Sequence, residues 1–308
     1  MTAAAKPHCS LKVLLAREAP DAIVFRRGPS RQTCLVSWDR SHDTFEVGQW
    51  FKGSVYPERS DLSPDGRWLV TFLGKFTGPL GTWTVLSRPP YFTAATLWPN
   101  GSTWGGGGFF LSDRELVLNE SPGRQVPADG FSIPAGLVVR PRSGETDARI
   151  AAVLANIAAW PSAWIAGPAG TPERRNVLGA LLTTHKVPRA GSKFLKEERF
   201  RFTLAGCAPI ELEGAAWADF DANGDLLFAI GGRLYRLPAK SSPTAPTFDG
   251  IVDAASCLTD LSDLQFRNVA APSASTLIAA TPYEPLRDRN TRETRRERKK
   301  RRRMIART

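Results

Sequence analysis

An internal repeat constrains the fold of this chain more than any other feature of its sequence. Residues 61–70 are DLSPDGRWLV and residues 219–228 are DFDANGDLLF. Each copy has an aspartate, a large apolar residue, a turn that ends in Asp-Gly or Asn-Gly, and an apolar run. These dipeptides permit the positive φ that a tight hairpin requires. With a weaker copy at 110–118, which lacks the glycine, the pattern predicts a fold of repeated antiparallel hairpins.

The N-terminal part predicts short strands joined by turns. Residues 22–26, 33–38 and 44–50 are rich in Val, Ile, Phe, Thr and Trp, and polar turns separate them. The composition of the whole chain agrees, because 26 Gly and 24 Pro suit sheets with many turns better than helical bundles. We therefore expect a mainly β fold.

The same residues carry a resemblance to known proteins. Residues 62–70 resemble the inner hairpin of a β-propeller blade of the WD40-like and TolB-like kind, and Trp38-Asp39 ends a strand as the Trp-Asp dipeptide of WD40 blades does. Further segments resemble a group of uncharacterised bacterial propeller-like proteins: 48–53, 88–91, 104–109, 217–219 and 231–237. The resemblance covers about 11–140 and 205–270. It implies a β-propeller-like domain of about five blades, which we place at 11–270, and it implies no catalytic residue.

Residues 141–204 depart from this pattern. Apolar residues within 147–160 recur at helical spacing until Pro161. The segment is interpreted as a partly helical insertion, as a diverged blade, or as a stretch altered by a reading-frame error, and the sequence leaves these three open. Residues 150–167 carry no charge, but alanines and Pro161 argue against a membrane span.

The net charge of +11 is concentrated in the C-terminal tail. Residues 287–308 hold a net +9, which leaves about +2 for residues 1–286. We expect 271–308 to be a polar linker followed by a disordered basic tail. The tail is either a solvated segment without a dedicated partner or a salt-sensitive polyanion-binding segment. Its candidate residues are Arg295, Arg296, Arg298, Lys299, Lys300, Arg301, Arg302 and Arg303.

The second repeat copy contains half of a calcium loop. Asp219, Asp221 and Asn223 stand at alternate positions before Gly224, as oxygen ligands of Ca²⁺ do. The position of the bidentate glutamate is occupied by Ile230. We therefore expect a hairpin turn with an aspartate cap and no metal; these three residues are the ones that a calcium ion would otherwise use.

The other residues that could form a functional site do not belong to a recognisable catalytic or metal-binding motif. Residues 105–108 are four glycines before a strand-like run, which predicts a turn with close backbone contacts or, alternatively, a ligand loop near a propeller axis. The histidines, His8, His42 and His185, have no nucleophile motif nearby. No two of the four cysteines form a CxxC pair, and the first residues do not resemble a secretory signal, so we expect free thiols in a cytoplasmic protein.

Three functions are compatible with this sequence. The first is a non-enzymatic interaction module that presents a propeller face to a protein or another ligand. The second is a propeller enzyme or small-ligand binder with a site at the axis. The third is polyanion binding through the tail. We favour the first and expect no cofactor, nucleic acid only at the tail, and tryptophans that either pack between blades or form an aromatic binding face.

Overall fold

The computed structural model describes residues 9–29, 31–76, 80–157, 173–176, 178–188 and 196–270. They form five sheets of three or four strands, which confirms the prediction of a mainly β fold. Every strand pair in these residues is antiparallel except one, β10 with β11. Each sheet is built from strands that follow one another in the sequence, so the chain completes one sheet before it starts the next.

The first two sheets are four-stranded meanders. Sheet A contains β1 (Ser10–Leu15), β2 (Asp21–Arg27), β3 (Gln32–Asp39) and β4 (Thr44–Lys52). Sheet B contains β5 (Ser54–Leu62), β6 (Leu69–Lys75), β7 (Gly81–Ser87) and β8 (Ala94–Pro99). The three strand segments predicted near the N-terminus correspond to β2, β3 and β4.

The other three sheets are accompanied by the two helices of the described residues. Sheet C contains β9 (Gly108–Ser112), β10 (Glu115–Leu118) and β11 (Val138–Pro141), and α1 (Gly144–Ile157) follows it. Sheet D contains β12 (Glu173–Arg175), β13 (Leu181–Pro188), β14 (Lys196–Thr203) and β15 (Ile210–Glu211). Sheet E contains β16 (Ala215–Phe220), β17 (Leu226–Ile230), β18 (Arg233–Leu237) and β19 (Ser256–Asp260), with α2 (Phe248–Ala254) between the last two.

The segment 141–204 thus combines a helix with most of a sheet. Ile150 of α1 is fully buried against Phe109 and Val117 of sheet C. In the described residues no helix has the length and apolar character needed to cross a membrane.

Apolar clusters join the sheets face to face. Leu69 and Leu73 of β6 pack with residues of sheet A, whereas Val70 packs with Phe110 and Leu116 of sheet C. Because successive side chains of a strand point to opposite faces, this strand is buried along both faces. Similar clusters join sheet D to sheet E and sheet E back to sheet A. Each large apolar side chain buried in this way adds about 1.5–3 kcal/mol to the stability of the folded state, relative to leaving it exposed.

The aspartate at the start of each full repeat copy connects neighbouring sheets. Asp61 of β5 accepts the backbone N–H of Phe110 at 2.8 Å and forms an ion pair with Arg17, which follows β1. Asp219 of β16 forms an ion pair with Arg174 of β12. In both copies, therefore, the aspartate lies in the first strand of a sheet and its arginine comes from the preceding sheet.

Backbone bonds at the turns hold the same end of the sheets together. The Glu18 N–H donates to Pro64 O at 2.9 Å, and the Asp65 N–H donates to the Asp113 carboxylate at 2.8 Å. These bonds link turns of sheets A, B and C. We call this end, which carries turns 63–68 and 221–225, the repeat-turn end.

Replacing Arg17 tests the connecting role of the aspartates. The Arg17 and Asp61 side chains are 11% and 14% exposed, so Arg17→Met leaves a buried carboxylate without its cation. We expect a loss of about 3 kcal/mol in the free energy of unfolding at neutral pH, measured by urea denaturation.

The control is Arg67→Met. Arg67 is 57% exposed and lies 3.6 Å from Asp65, so its loss should cost no more than about 0.5 kcal/mol. Equal losses in the two variants would contradict the role assigned to Asp61.

Candidate binding surface

The end opposite the repeat turns carries a groove between sheets A and B. Here β2, β4, β6 and β8 end, and β3, β5, β7 and β9 begin. We call this the groove end. A cavity of about 340 Å³ lies there, lined by Arg31, Gln32, Lys52, Gly53, Ser54, Gly74, Lys75 and Phe76.

Among the described residues, the groove lining contains three cations and no acidic residue. Its three cations, Arg31, Lys52 and Lys75, come from three separate strand ends and are exposed. None of the ion pairs between described residues includes them. Lys52 Nζ lies 4.0 Å from the ring centre of Phe266, a cation–π contact.

Exposed apolar side chains accompany these cations. Phe76 in the groove lining is 56% exposed, and Leu80 before β7 is 36% exposed. Trp104, between β8 and β9, is 93% exposed. An indole in water is unusual because tryptophan buries more apolar area than almost any other side chain.

Hydrogen bonds fix the loop that carries Trp104. The Arg59 guanidinium donates to Thr103 O at 2.8 Å and to Gly105 O at 2.7 Å, on either side of the indole. The Gly101 N–H donates to Thr82 O at 3.1 Å. The backbone around Trp104 is thus held against sheet B while its side chain faces solvent.

The four-glycine segment serves close packing in this loop. Gly106 and Gly107 have φ values of 87° and 81°. A Cβ on Gly106 would lie 2.1 Å from the Phe72 ring, and one on Gly107 would lie 1.9 Å from Arg59 O. This geometry favours the close-contact interpretation of residues 105–108 over a ligand loop.

A buried polar network lies behind the glycines. The Gly107 N–H donates to Thr84 Oγ1 at 2.9 Å, and Thr84 Oγ1 donates to Asn100 Oδ1 at 3.1 Å. The Asn100 amide in turn donates to Glu120, which is 8% exposed. Burial raises the pKa of the Glu120 carboxyl, while bonds from Gly106 and Asn100 act in the opposite direction. The network positions the loop, and neither a histidine nor a cysteine belongs to it.

The three calcium candidates do not converge on a common point. Asp219 is engaged by Arg174. Asp221 accepts the N–H groups of Asn223 at 2.8 Å and Asp225 at 3.0 Å, which is an aspartate-capped hairpin turn. The side chain of Asn223 lies on the exposed part of this turn. In the part of the chain that the structure describes, no group of three or more His, Cys, Asp or Glu is arranged to hold a metal ion.

The remaining sequence candidates are dispersed. His42 lies 2.8 Å from Asp39 on sheet A, whereas His185 lies 3.4 Å from Glu211 on sheet D. His8 and the polyanion candidates at 295–303 lie outside the described residues. The tryptophans divide between the two sequence interpretations, because Trp38, Trp98 and Trp217 are core residues and Trp104 is exposed.

Sequence reasoning missed the groove. Its cations are 21 and 23 residues apart along the chain, so no local run of charge marks them. The available signal was that each stands at a strand end beside a turn.

Comparison with known proteins does not place the chain in a family. No protein-family model matches its sequence, and no curated protein matches it.

Substitution of Gly106 tests the packing of the glycine loop. Gly106→Ala should lower the free energy of unfolding by about 3 kcal/mol or more, because strain at positive φ adds to a clash with the buried Phe72 ring. Thermal or urea denaturation measures this loss.

Gly123→Ala is the matched control. Gly123 has a φ of 90°, and nothing lies within 4 Å of its added Cβ, so only the strain of about 1–2 kcal/mol applies. If Gly106→Ala were no worse than this control, the loop would not pack as described.

Proposed function

We propose that the chain is a propeller-like interaction module of about five blades at 11–270, and that it offers its groove end to a protein partner. In this proposal each of the five sheets is one blade. The chain acts by binding and not by catalysis.

Contacts between the last and first sheets support the propeller arrangement. Arg26 of β2 donates through Nε to Leu261 O at 3.0 Å, just after β19. Arg236 of β18 forms an ion pair with Asp43 in the turn between β3 and β4. A return of the final sheet to the first is what a ring of blades requires.

The exposure of the Trp104 side chain is the main support for the binding proposal. Its indole is 93% exposed, and Arg59 holds the backbone on both sides of it. Tryptophan is enriched among the residues that dominate binding energy, and an anchor fixed in advance loses little conformational entropy on binding. Phe76 and Leu80 extend the apolar area at the same end of sheet B.

Replacement of Trp104 tests this function. The purified, tagged chain and its Trp104→Ala variant are incubated with lysate of the source cells, and captured proteins are quantified by mass spectrometry. We expect at least one protein retained by the unmodified chain to fall by about tenfold or more, as loss of a binding hot spot of about 1.4 kcal/mol or more predicts.

Leu178→Ala is the control for loss of an exposed apolar side chain, because Leu178 is 52% exposed beside sheet D. It should capture the same proteins as the unmodified chain. Identical captures by all three proteins would refute a partner site at Trp104. Circular dichroism establishes that both variants are folded.

A further inference from the structure

We infer that the groove between sheets A and B binds an acidic segment of the partner protein, with carboxylates at Arg31, Lys52 and Lys75 and an apolar side chain against Phe76. This inference rests on the proposed function, because it specifies the chemistry of the partner. It assigns the groove to one class of ligand, a peptide that carries both negative charge and an aromatic or aliphatic residue.

The groove brings three exposed cations together in one lining, whereas several other exposed arginines lie beside acidic partners. Arg140 and Arg149 share Glu115, and Arg233 pairs with Asp260 at 2.7 Å. Within the part of the chain that the structure describes, the three groove cations have no such partner and no acid lines the cavity. Like charges held close together repel one another, and a bound carboxylate relieves that repulsion.

The backbone fixes the spacing of the cations. The Gly53 N–H donates to Arg31 O at 2.9 Å, and Lys52 is the strand partner of Gln32. A Cβ on Gly53 would lie 2.4 Å from the Phe51 ring and 2.6 Å from Gly74 O, so the β4–β5 connection packs closely against both β4 and β6. The groove is therefore shaped before a ligand arrives, which limits the entropy lost on binding.

An acidic peptide suits this groove better than a nucleic acid. Nucleic-acid binding relies on a stripe of cations that neutralises many phosphates. Residues 1–286 carry a net charge of only about +2, and the groove holds three cations beside an exposed phenylalanine. The Arg-rich residues 287–308 carry charge of the same sign as the groove, so they do not have the chemistry of its ligand.

The test uses fluorescein-labelled peptides and the full chain in fluorescence anisotropy. The peptides are GEEFEEG, its neutral analogue GQQFQQG, and GEEGEEG, which lacks the phenylalanine. A labelled oligothymidylate serves as the nucleic-acid probe. We expect GEEFEEG to bind more tightly than either other peptide.

Charge reversal separates the groove from the basic tail. Lys52→Glu/Lys75→Glu should weaken GEEFEEG binding about tenfold or more, the change that loss of about 1.4 kcal/mol produces. Lys186→Glu/Lys240→Glu changes the net charge equally at exposed positions, one in β13 and one just after β18, and should change affinity by less than about twofold. The tail is the same in both variants, so equal weakening by the two would overturn the inference.

Phe76→Ala tests the apolar part of the groove. It should remove the preference for GEEFEEG over GEEGEEG and leave the affinity for GEEGEEG unchanged. An unchanged preference would contradict a role for Phe76. If oligothymidylate binding depended on Lys52 and Lys75 and peptide binding did not, the inference would be overturned in favour of a nucleic-acid site.

The inference and the proposed function fail in different ways. If Trp104→Ala abolishes partner capture but Lys52→Glu/Lys75→Glu preserves both capture and peptide affinity, the interaction module stands and the acidic-ligand inference is wrong. If Trp104→Ala loses no partner, the proposed function itself fails.

Discussion

The buried aspartate–arginine pairs between consecutive sheets are the interaction on which the rest of this structure depends. Asp61 and Asp219 lie in the first strands of their sheets, and each is met by an arginine from the sheet before it. Burial raises the pKa of both carboxyls, and the arginine beside each opposes that shift. Because an unpaired charge at these positions is costly, the pairs favour one placement of sheet B against sheet A and of sheet E against sheet D. Apolar clusters fill the junctions of sheet A with B, B with C, D with E and E with A, and the opposite end of the sheets carries the groove.

The sequence predicted the parts of this fold that depend on local patterns. Asp-Gly and Asn-Gly marked the hairpin turns, and runs of β-branched and aromatic residues marked β2 to β4. It left sheet D open as one of three interpretations of 141–204, a diverged blade, because β13 and β14 mix apolar residues with Lys, Arg and Glu. The sequence also gave no sign of the parallel pairing of β11 with β10. A long connection separates the two strands, so no local pattern marks β11 as part of sheet C.

The groove shows why the candidate site was harder to predict than the fold. Arg31, Lys52 and Lys75 each look like ordinary solvated turn residues when the sequence is considered one segment at a time. They become a site only because the β4–β5 connection lies against both β3 and β6. Trp104 belonged to a set of tryptophans for which core packing and a binding face were both considered, and only its exposure distinguishes it from the core members. Three cations without an ion pair among the described residues, together with an exposed indole, support the proposed interaction module.

Thiol labelling of the unmodified chain tests most directly whether sheet E packs against sheet A. Cys9 lies between these sheets, with Sγ 3.9 Å from Leu261 O, and Cys34 is fully buried within the same cluster. Cys207 and Cys257 are exposed. Under native conditions a maleimide should modify Cys207 and Cys257 rapidly and leave Cys9 as protected as Cys34, as mass spectrometry of the digested protein would show. If Cys9 reacted as fast as Cys257, the last sheet would not be packed on the first, and the propeller proposed here would be wrong.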